Sequence, residues 1–525
     1  MNIKNIFIYV FCPAYFILGL YLSINIGISH DEFHENFNWK INISAIKDIF
    51  QNYNNDILLD YKDRYHGIAF NWLSQPIQIL IHKPIASYLD IGTFGGLLIS
   101  KHVVVFSVFC LSGIFIYLIC NLLLNNESFS ILSTTIYLLY PYLFGHALFN
   151  PKDIPFLSIW LICTYLIIRF IKKLFESKYI SKRFIFIFAL LTALLISIRI
   201  VGLIIFLQYL IFILVFLDNK KINLLDFFKE NLKNFFLFSF LTILFIYILN
   251  PIFWLNPLEI INSIKWMGNY NQDLCTLTLG NCMSSLNLPS SYYFIWFFFK
   301  LPIIILIGLF LFPVIEKKFL KNSFLKIIVF SLLITIFSIL ILFILKNVSL
   351  YDEIRHIMFL IPLIILVGLI NIYLFNKKLF FIAGSILVFF FITENILLNP
   401  YQYTWLNPIS KFYNIKKNFE LDYWGVSNKN LQKKIREHYE KDSSIDSNCV
   451  YGDLYSNIFL EKHGFKCFKN YSELDSAKKR PFYVYKNVRN VKRSDPKDCE
   501  LIWDENYKYT LSKKEISVGT AWFCD

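Results

Sequence analysis

Ser29-His30-Asp31-Glu32-Phe33-His34-Glu35 follows directly on the first long apolar run of the chain, residues 6–27. Five ionisable side chains therefore crowd the point where a membrane-spanning helix leaves the bilayer, and charge is costly near hydrocarbon. A solvated helix end is the competing reading of any one of these acids. What favours a site is that other charged clusters, far apart in sequence, are predicted to surface at the same membrane face.

Outward from that stretch, apolar blocks of spanning length recur along the 525 residues, 56% of which are hydrophobic, with a mean hydropathy of +0.52. Such a chain is a polytopic membrane protein. Spans are expected near 6–27, 97–123, 129–147, 154–175, 184–198, 200–217, 234–251, 293–313, 325–345, 356–375 and 378–398, about eleven transmembrane helices. Residues 184–217 are too short for two ordinary spans and too long for one, which suggests two short helices broken at Arg199; one tilted helix is the alternative. Lys4 followed by about twenty apolar residues without a small-residue cleavage signature reads as an uncleaved first helix. The net charge of +14 does not indicate nucleic acid, because the lysines lie largely in short loops between spans.

Those basic loops set the orientation. Lys172, Lys173, Lys178, Lys182 and Arg183 share a side with Lys220, Lys221, Lys317, Lys318, Lys321, Lys377 and Lys378 when eleven spans are counted, and that side should be cytoplasmic. Residues 28–96, the 146–153 turn, the 252–292 and 346–355 loops and the tail from 399 then face outward. Cysteine placement agrees. Cys12, Cys110, Cys120 and Cys163 fall in expected spans, whereas Cys275, Cys282, Cys449, Cys467, Cys499 and Cys524 fall in outward segments, where an oxidising compartment permits disulfides. Cys275 and Cys282 are the expected pair in one loop; the four tail cysteines allow three pairings, and zinc binding by the tail has no C-x-x-C to support it.

Three regions follow. Residues 1–398 form a transmembrane domain, in which 28–96 is a first outer segment with interfacial helices near 44–53 and 68–89, and residues 399–525 form a small soluble α/β domain. In that tail, helices are expected near 428–441 and 453–463, with strands at 449–451 and 481–486 and further strands beyond.

The chemistry-bearing residues are few. Asn150-Pro151-Lys152-Asp153 is a good helix start in its own right, with Asn150 as cap and Asp153 favoured by the helix dipole. Arg199 is harder to dismiss, since an arginine deep in apolar sequence faces an aqueous cavity or an anion. Tyr351-Asp352-Glu353-Ile354-Arg355-His356 precedes a span on the same face, and Arg64 and His66 are further basic residues of the first outer segment. One topology puts Asp31, Glu32, Asp153, Arg199, Arg355 and His356 at the outer ends of helices. Carboxylates there could take a proton from a hydroxyl, and guanidiniums could hold a phosphate.

The acidic pair Asp31-Glu32 after the first span, the His146-Ala-Leu-Phe-Asn-Pro-Lys-Asp153-Ile-Pro-Phe156 turn and Arg199 in a short helix pair resemble the membrane glycosyltransferases related to protein O-mannosyltransferases and to the aminoarabinose transferases of lipid A, glycosyltransferase family 39 in the broad sense. Leu288-Pro289-Ser-Ser-Tyr292-Tyr293, the 351–356 run, Pro400-Tyr401-Gln402-Tyr403 with Asn407-Pro408, and Phe419-Glu-Leu-Asp422-Tyr423-Trp424-Gly425 resemble stretches of bacterial members, so that the likeness covers roughly residues 1–430. It implies a GT-C fold, a sugar donor on a polyprenyl phosphate and inverting transfer. By the same resemblance Asp31 takes the family's catalytic acidic position, Glu32 its neighbour and Asp153 the second acidic position, while Arg199 and Arg355 contact the lipid phosphate. Lys152, His356 and Arg64 complete the candidate phosphate ligands. The soluble tail departs from the fungal protein mannosyltransferases and leaves the acceptor open between protein, lipid and glycan. No cofactor is assigned; a divalent metal stays open, because hard cations bind carboxylates without fixed spacing. The rival reading is a transporter or lipid flippase, against which the absence of internal repeats in the sequence counts.

Overall fold

Asn25 ends the first apolar helix, α1 (Lys4–Asn25), and Ser29 starts α2 (His30–Asn52), so the charged stretch becomes the first turn of a helix rather than a loop. The computed structural model describes residues 3–268, 272–319, 322–441, 449–476, 481–490, 495–509 and 515–525, so that Lys321 lies outside the described residues. After α2 come α3 (Ala69–Leu89), α4 (Thr93–Leu124), α5 (Glu127–Leu139), α6 (Pro141–Ala147), α7 (Asp153–Phe175), α8 (Lys182–Ile198), α9 (Ile200–Lys220, opening with a 3-10 turn) and α10 (Leu224–Leu249). The second half contains α11 (Ser291–Lys300), α12 (Ile303–Phe310), α13 (Ser323–Leu345), α14 (Arg355–Phe375) and α15 (Lys377–Leu397).

Among the described residues eight helices, α1, α4, α7, α9, α10, α13, α14 and α15, are long and apolar enough to cross a membrane, or nine if α11 and α12, bent by 120°, count as one span. This is a multi-pass integral membrane protein, but the expected eleven is not reached at that length. The reasons are local. Pro141 ends the 129–147 block after the 13 residues of α5, because a proline cannot continue the hydrogen-bond ladder of the preceding turn. The 17-residue α8 rises about 26 Å, short of a hydrocarbon core about 30 Å thick. The break at Arg199 is present, with extended backbone between α8 and α9. The expected interfacial pieces become parts of longer helices, 44–53 within α2 and 68–89 as α3, which packs along α4 despite Pro76 and Pro84.

α7 and α14 run through the middle of the bundle, their apolar windows 89% and 94% buried, whereas α10 is only 11% buried and presents Phe236, Phe240 and Ile243 outward. A central helix needs its polar ends satisfied by protein. This is why the starts of α7 and α14 gather charge.

Between α10 and α11 a hairpin of β1 (Cys275–Thr278) and β2 (Asn281–Ser284) turns at Leu279-Gly280, both with positive φ, the conformation a two-residue hairpin turn requires. The tail carries α16 (Asn428–Lys441) and five strands, β3 (Cys449–Gly452), β4 (Cys467–Asn470), β5 (Phe482–Asn487), β6 (Glu500–Lys508) and β7 (Glu515–Cys524), in the order β4-β3-β5-β7-β6. β3 pairs in parallel with β4 and β5, and β7 antiparallel with β5 and β6. Leu431 and Ile435 of α16 pack on Val450, Tyr483, Tyr485 and Ala521 of the sheet. Where a helix was expected over 453–463 the chain forms a 3-10 helix, Leu454–Phe459.

Three disulfides join Cys275 to Cys282, Cys449 to Cys467 and Cys499 to Cys524, and the four cysteines of the expected spans are free. The first is the expected loop pair; the other two tie neighbouring strands of the sheet and its last strand. Peptide mapping without reduction should recover these three linked pairs and alkylate only Cys12, Cys110, Cys120 and Cys163. Free thiols at Cys449 and Cys467 would contradict the sheet register that sets them opposite each other.

Candidate functional site

The starts of α2, α7 and α14 and the α8–α9 break meet in one charged cluster. Arg355 is at its centre, with its side chain only 4% exposed. Its Nη1 donates to Asp31 Oδ2 at 3.0 Å and its Nη2 lies 3.2 Å from Asp352 Oδ2. The guanidinium lies over the rings of Tyr351 and Trp424, 4.8 and 4.6 Å from their centroids. Asp352 in turn takes Arg489 Nη2 of the tail at 3.2 Å, and Arg489 Nη1 donates to the Tyr423 carbonyl at 2.6 Å.

Two further ion pairs complete the cluster. Arg199 Nη1 lies 2.6 Å from Asp153 Oδ1, and Lys152 Nζ donates to Glu35 Oε1 at 2.7 Å. Asn150 holds the start of α7: its Oδ1 accepts from the Asp153 N–H at 2.9 Å, and its Nδ2 donates to Asp153 Oδ2 at 3.0 Å. The helix starts later than expected, at Asp153 with Lys152 rather than Asn150 in the cap position, so Asn150 supports the start from outside it. Asp31, Glu35, Asp153 and Asp352 face Lys152, Arg199, Arg355 and Arg489, four anions against four cations.

Asp31 differs from the other acids in being open. Its side chain is 38% exposed, against 2% for Asp153, 3% for Asp352 and 6% for Glu35. Burial of its surroundings pushes the carboxyl up, but the charges of Arg355, Lys152 and Arg199 outweigh that and hold it at about 2. Glu35 is likewise opposed by burial yet kept below the usual range by Lys152 and Lys101. Behind Asp352, burial raises the Glu353 carboxyl to about 7 although Lys300 Nζ lies 2.7 Å from it.

Backbone geometry fixes Arg355 here. Asp352 and Glu353 both adopt positive φ, 56° and 66°, a region that non-glycine residues seldom enter and that costs about 1–3 kcal/mol per residue. Tyr292 Oη, donating to the Glu353 carbonyl at 2.9 Å, helps hold that shape. On the other side, the Asp422 carboxylate accepts from the Val426 and Ser427 N–H groups at 2.9 Å each and shapes the turn that carries Trp424; Gly425 within it has φ 74°.

Other expected site residues fall differently. Glu32 faces inward, 1% exposed: its Oε1 accepts from the Ser29 N–H at 2.7 Å, a capping box, and its Oε2 meets His102 Nε2 at 2.7 Å. Arg64 donates to the Leu59 and Tyr61 carbonyls at 2.8 and 3.4 Å, shaping its own turn. His356 stacks edge-on against Tyr351, 4.6 Å between centroids. Glu35, Asp352, Trp424 and Arg489 enter the cluster without having been singled out as site residues. Glu35 could have been found as the acid one helical turn beyond Asp31; Arg489, in a polar tail rich in basic residues, gave no signal.

No protein-family model matches the chain, and no curated protein matches it. Among solved structures, it is similar to ArnT from Cupriavidus metallidurans in the apo state, with 11% identity and a TM-score of 0.45, over 98% of this chain and 97% of that one. It is also similar to ArnT of the same organism bound to undecaprenyl phosphate, with 11% identity and a TM-score of 0.43 over the same shares.

Neighbouring acids thus have opposite expected behaviour. Glu32→Ala should lower stability by about 2–3 kcal/mol, since it strands His102 and uncaps α2, whereas Asp31→Asn keeps a hydrogen bond to Arg355 and should leave the unfolding temperature near wild type. Thermal unfolding of the purified full chain in detergent checks both, and equal losses would remove the distinction.

Proposed function

We propose that the chain is a membrane glycosyltransferase of the GT-C kind, moving a sugar from a polyprenyl-phosphate donor to an acceptor hydroxyl at the outer face of the membrane. The observation that carries this reading is Asp31, an open carboxylate bonded to a buried arginine and flanked by Lys152 and Arg199 at the convergence of helix ends.

In the reaction so proposed, the acceptor O–H gives its proton to Asp31 while its oxygen attacks the anomeric carbon. The bond from that carbon to the phosphate oxygen breaks on the opposite side, and the polyprenyl phosphate leaves with the electron pair. Attack opposite the leaving group inverts the anomeric centre. Arg355, Arg199 and Lys152 are the cations available to stabilise charge that grows on the phosphate.

The low resting pKa of Asp31 bears directly on this. A carboxylate held at about 2 is ionised at neutral pH but is a weak base. Its largest opposing charge, Arg355, is the group a phosphate would compete for. A donor that draws Arg355 N–H groups to itself relieves Asp31 and raises its basicity when the acceptor needs it.

The outward assignment rests on the three disulfides, all outside the expected cytoplasmic loops. A reporter that is active only outside the cytoplasm, fused after Asp525, should be active, and a cytoplasm-only reporter should be silent; the reverse pattern refutes the orientation.

Asp31→Asn should cut transfer by a factor on the order of 10²–10⁴, the usual worth of a positioned general base. Arg199→Ala should instead raise the apparent KM for the lipid donor and lower kcat. Mass spectrometry of envelope glycans and lipids from a deletion strain complemented with each variant reads the loss, with added donor rescuing only the Arg199 variant. Wild-type product from folded Asp31→Asn would overturn the mechanism.

A further inference from the structure

One helical turn beyond Asp31, on the same face of α2, His34 meets two residues of the first outer segment. His34 Nε2 lies 3.5 Å from Asp63 Oδ2, and His66 Nδ1 lies 3.8 Å from Asp63 Oδ1. One ligand atom from each of the three residues can be chosen so that all lie within 4.8 Å of one another. We propose that His34, Asp63 and His66 bind a divalent transition-metal cation of the zinc class.

Donor chemistry and geometry both fit. Two imidazoles and one carboxylate are a borderline nitrogen and oxygen set that suits zinc, and three protein ligands leave a fourth position to solvent. Bonds of about 2.0–2.2 Å in a tetrahedral site set donors about 3.3 Å apart, so donor atoms that lie within 4.8 Å of one another close further when they share an ion. His34 is 43% exposed while Asp63 and His66 are 16% and 13% exposed, which gives an ion one open approach and a mostly enclosed seat. The His66 ring has an orienting contact, with Nδ1 3.2 Å from the Asp63 carbonyl. Lys152, a cation that acts on His66, is paired with Glu35 at 2.7 Å, which opposes it in part.

The turn that supplies Asp63 and His66 is firmly seated. Asn38 Nδ2 donates to the His66 carbonyl at 3.1 Å, and Trp266 packs edge-on to the His66 ring at 5.8 Å. Gly67 lies so close to the α8–α9 break that a Cβ there would come within 2.1 Å of the Ser197 carbonyl oxygen. A metal at this point would fasten α2, which carries Asp31, to the turn resting on the break that carries Arg199. The site is independent of the reaction assigned to Asp31, and its test needs no substrate.

The full-length protein, freed of any affinity tag, stripped with chelator and titrated with Zn2+ alone, should retain about one equivalent per chain after dialysis and show a raised Tm. X-ray absorption at the zinc edge should show imidazole and oxygen donors. His66→Ala and the shape-keeping Asp63→Asn should each bind Zn2+ at least tenfold more weakly, with metal-free Tm values matching metal-free wild type to show that they fold. Wild-type protein that retains no zinc overturns the proposal. So do folded variants that bind it as tightly as wild type, or a zinc edge without imidazole donors.

Discussion

The Arg355 guanidinium is the constraint on which the rest of the site depends. A cation with 4% exposure at the start of a central helix is tolerable only if its charge and its N–H groups are answered. Asp31 and Asp352 answer the charge, and the rings of Tyr351 and Trp424 lie against it. Each answer draws in another part of the chain. Asp31 brings the start of α2, Asp352 brings Arg489 and with it the C-terminal sheet domain, and Trp424 brings the turn shaped by Asp422. Arg355, 324 residues from Asp31 along the chain, is thereby placed beside it, within the same apolar core that holds Ile354, Trp424 and Val426.

That balance also explains why the membrane part tolerates so much charge. Lys300 and Glu353, both fully buried, pair at 2.7 Å, and Lys300 lies over the Tyr142 and Trp296 rings. Removing one member of such a pair leaves a buried charge, at a cost of about 3–5 kcal/mol. The pairs therefore constrain one another: Asp352 and Glu353, adjacent in the chain, turn to opposite partners, and the left-handed backbone at both positions is how a single loop serves two cations.

The sequence disclosed this site to the extent that charge stood out against apolar surroundings. Asp31, Asp153, Arg199 and Arg355 were legible because each interrupts or borders a hydrophobic run, where an ionisable group needs a reason. Glu32 is legible too, but its contacts are those of a helix start. Ser29-x-x-Glu32 is the signature of a capping box, and its carboxylate turns back to the helix start instead of toward solvent. Arg489 and Asp63 lie in polar segments, where a charge carries no such signal and only tertiary structure gives it a partner. The span count suffered from the opposite problem. Hydropathy sees the apolar blocks at 129–147 and 184–198 but not how a proline divides one and how the other stops short at Arg199.

A cluster of four anions and four cations has a consequence for any anionic ligand it receives. A phosphate entering beside Arg355 brings negative charge to a group already shared by two carboxylates, so one carboxylate must give way. Asp352 cannot readily do so: it is 3% exposed and also held by Arg489. Asp31 is open to solvent and bound by one N–H, so it is the acid that can release its partner. The asymmetry between the two carboxylates of Arg355 therefore selects which becomes basic on binding. Under the proposed chemistry, base strength at Asp31 is coupled to occupancy of the phosphate position, and the tail contributes to that coupling through Arg489 by keeping Asp352 fixed.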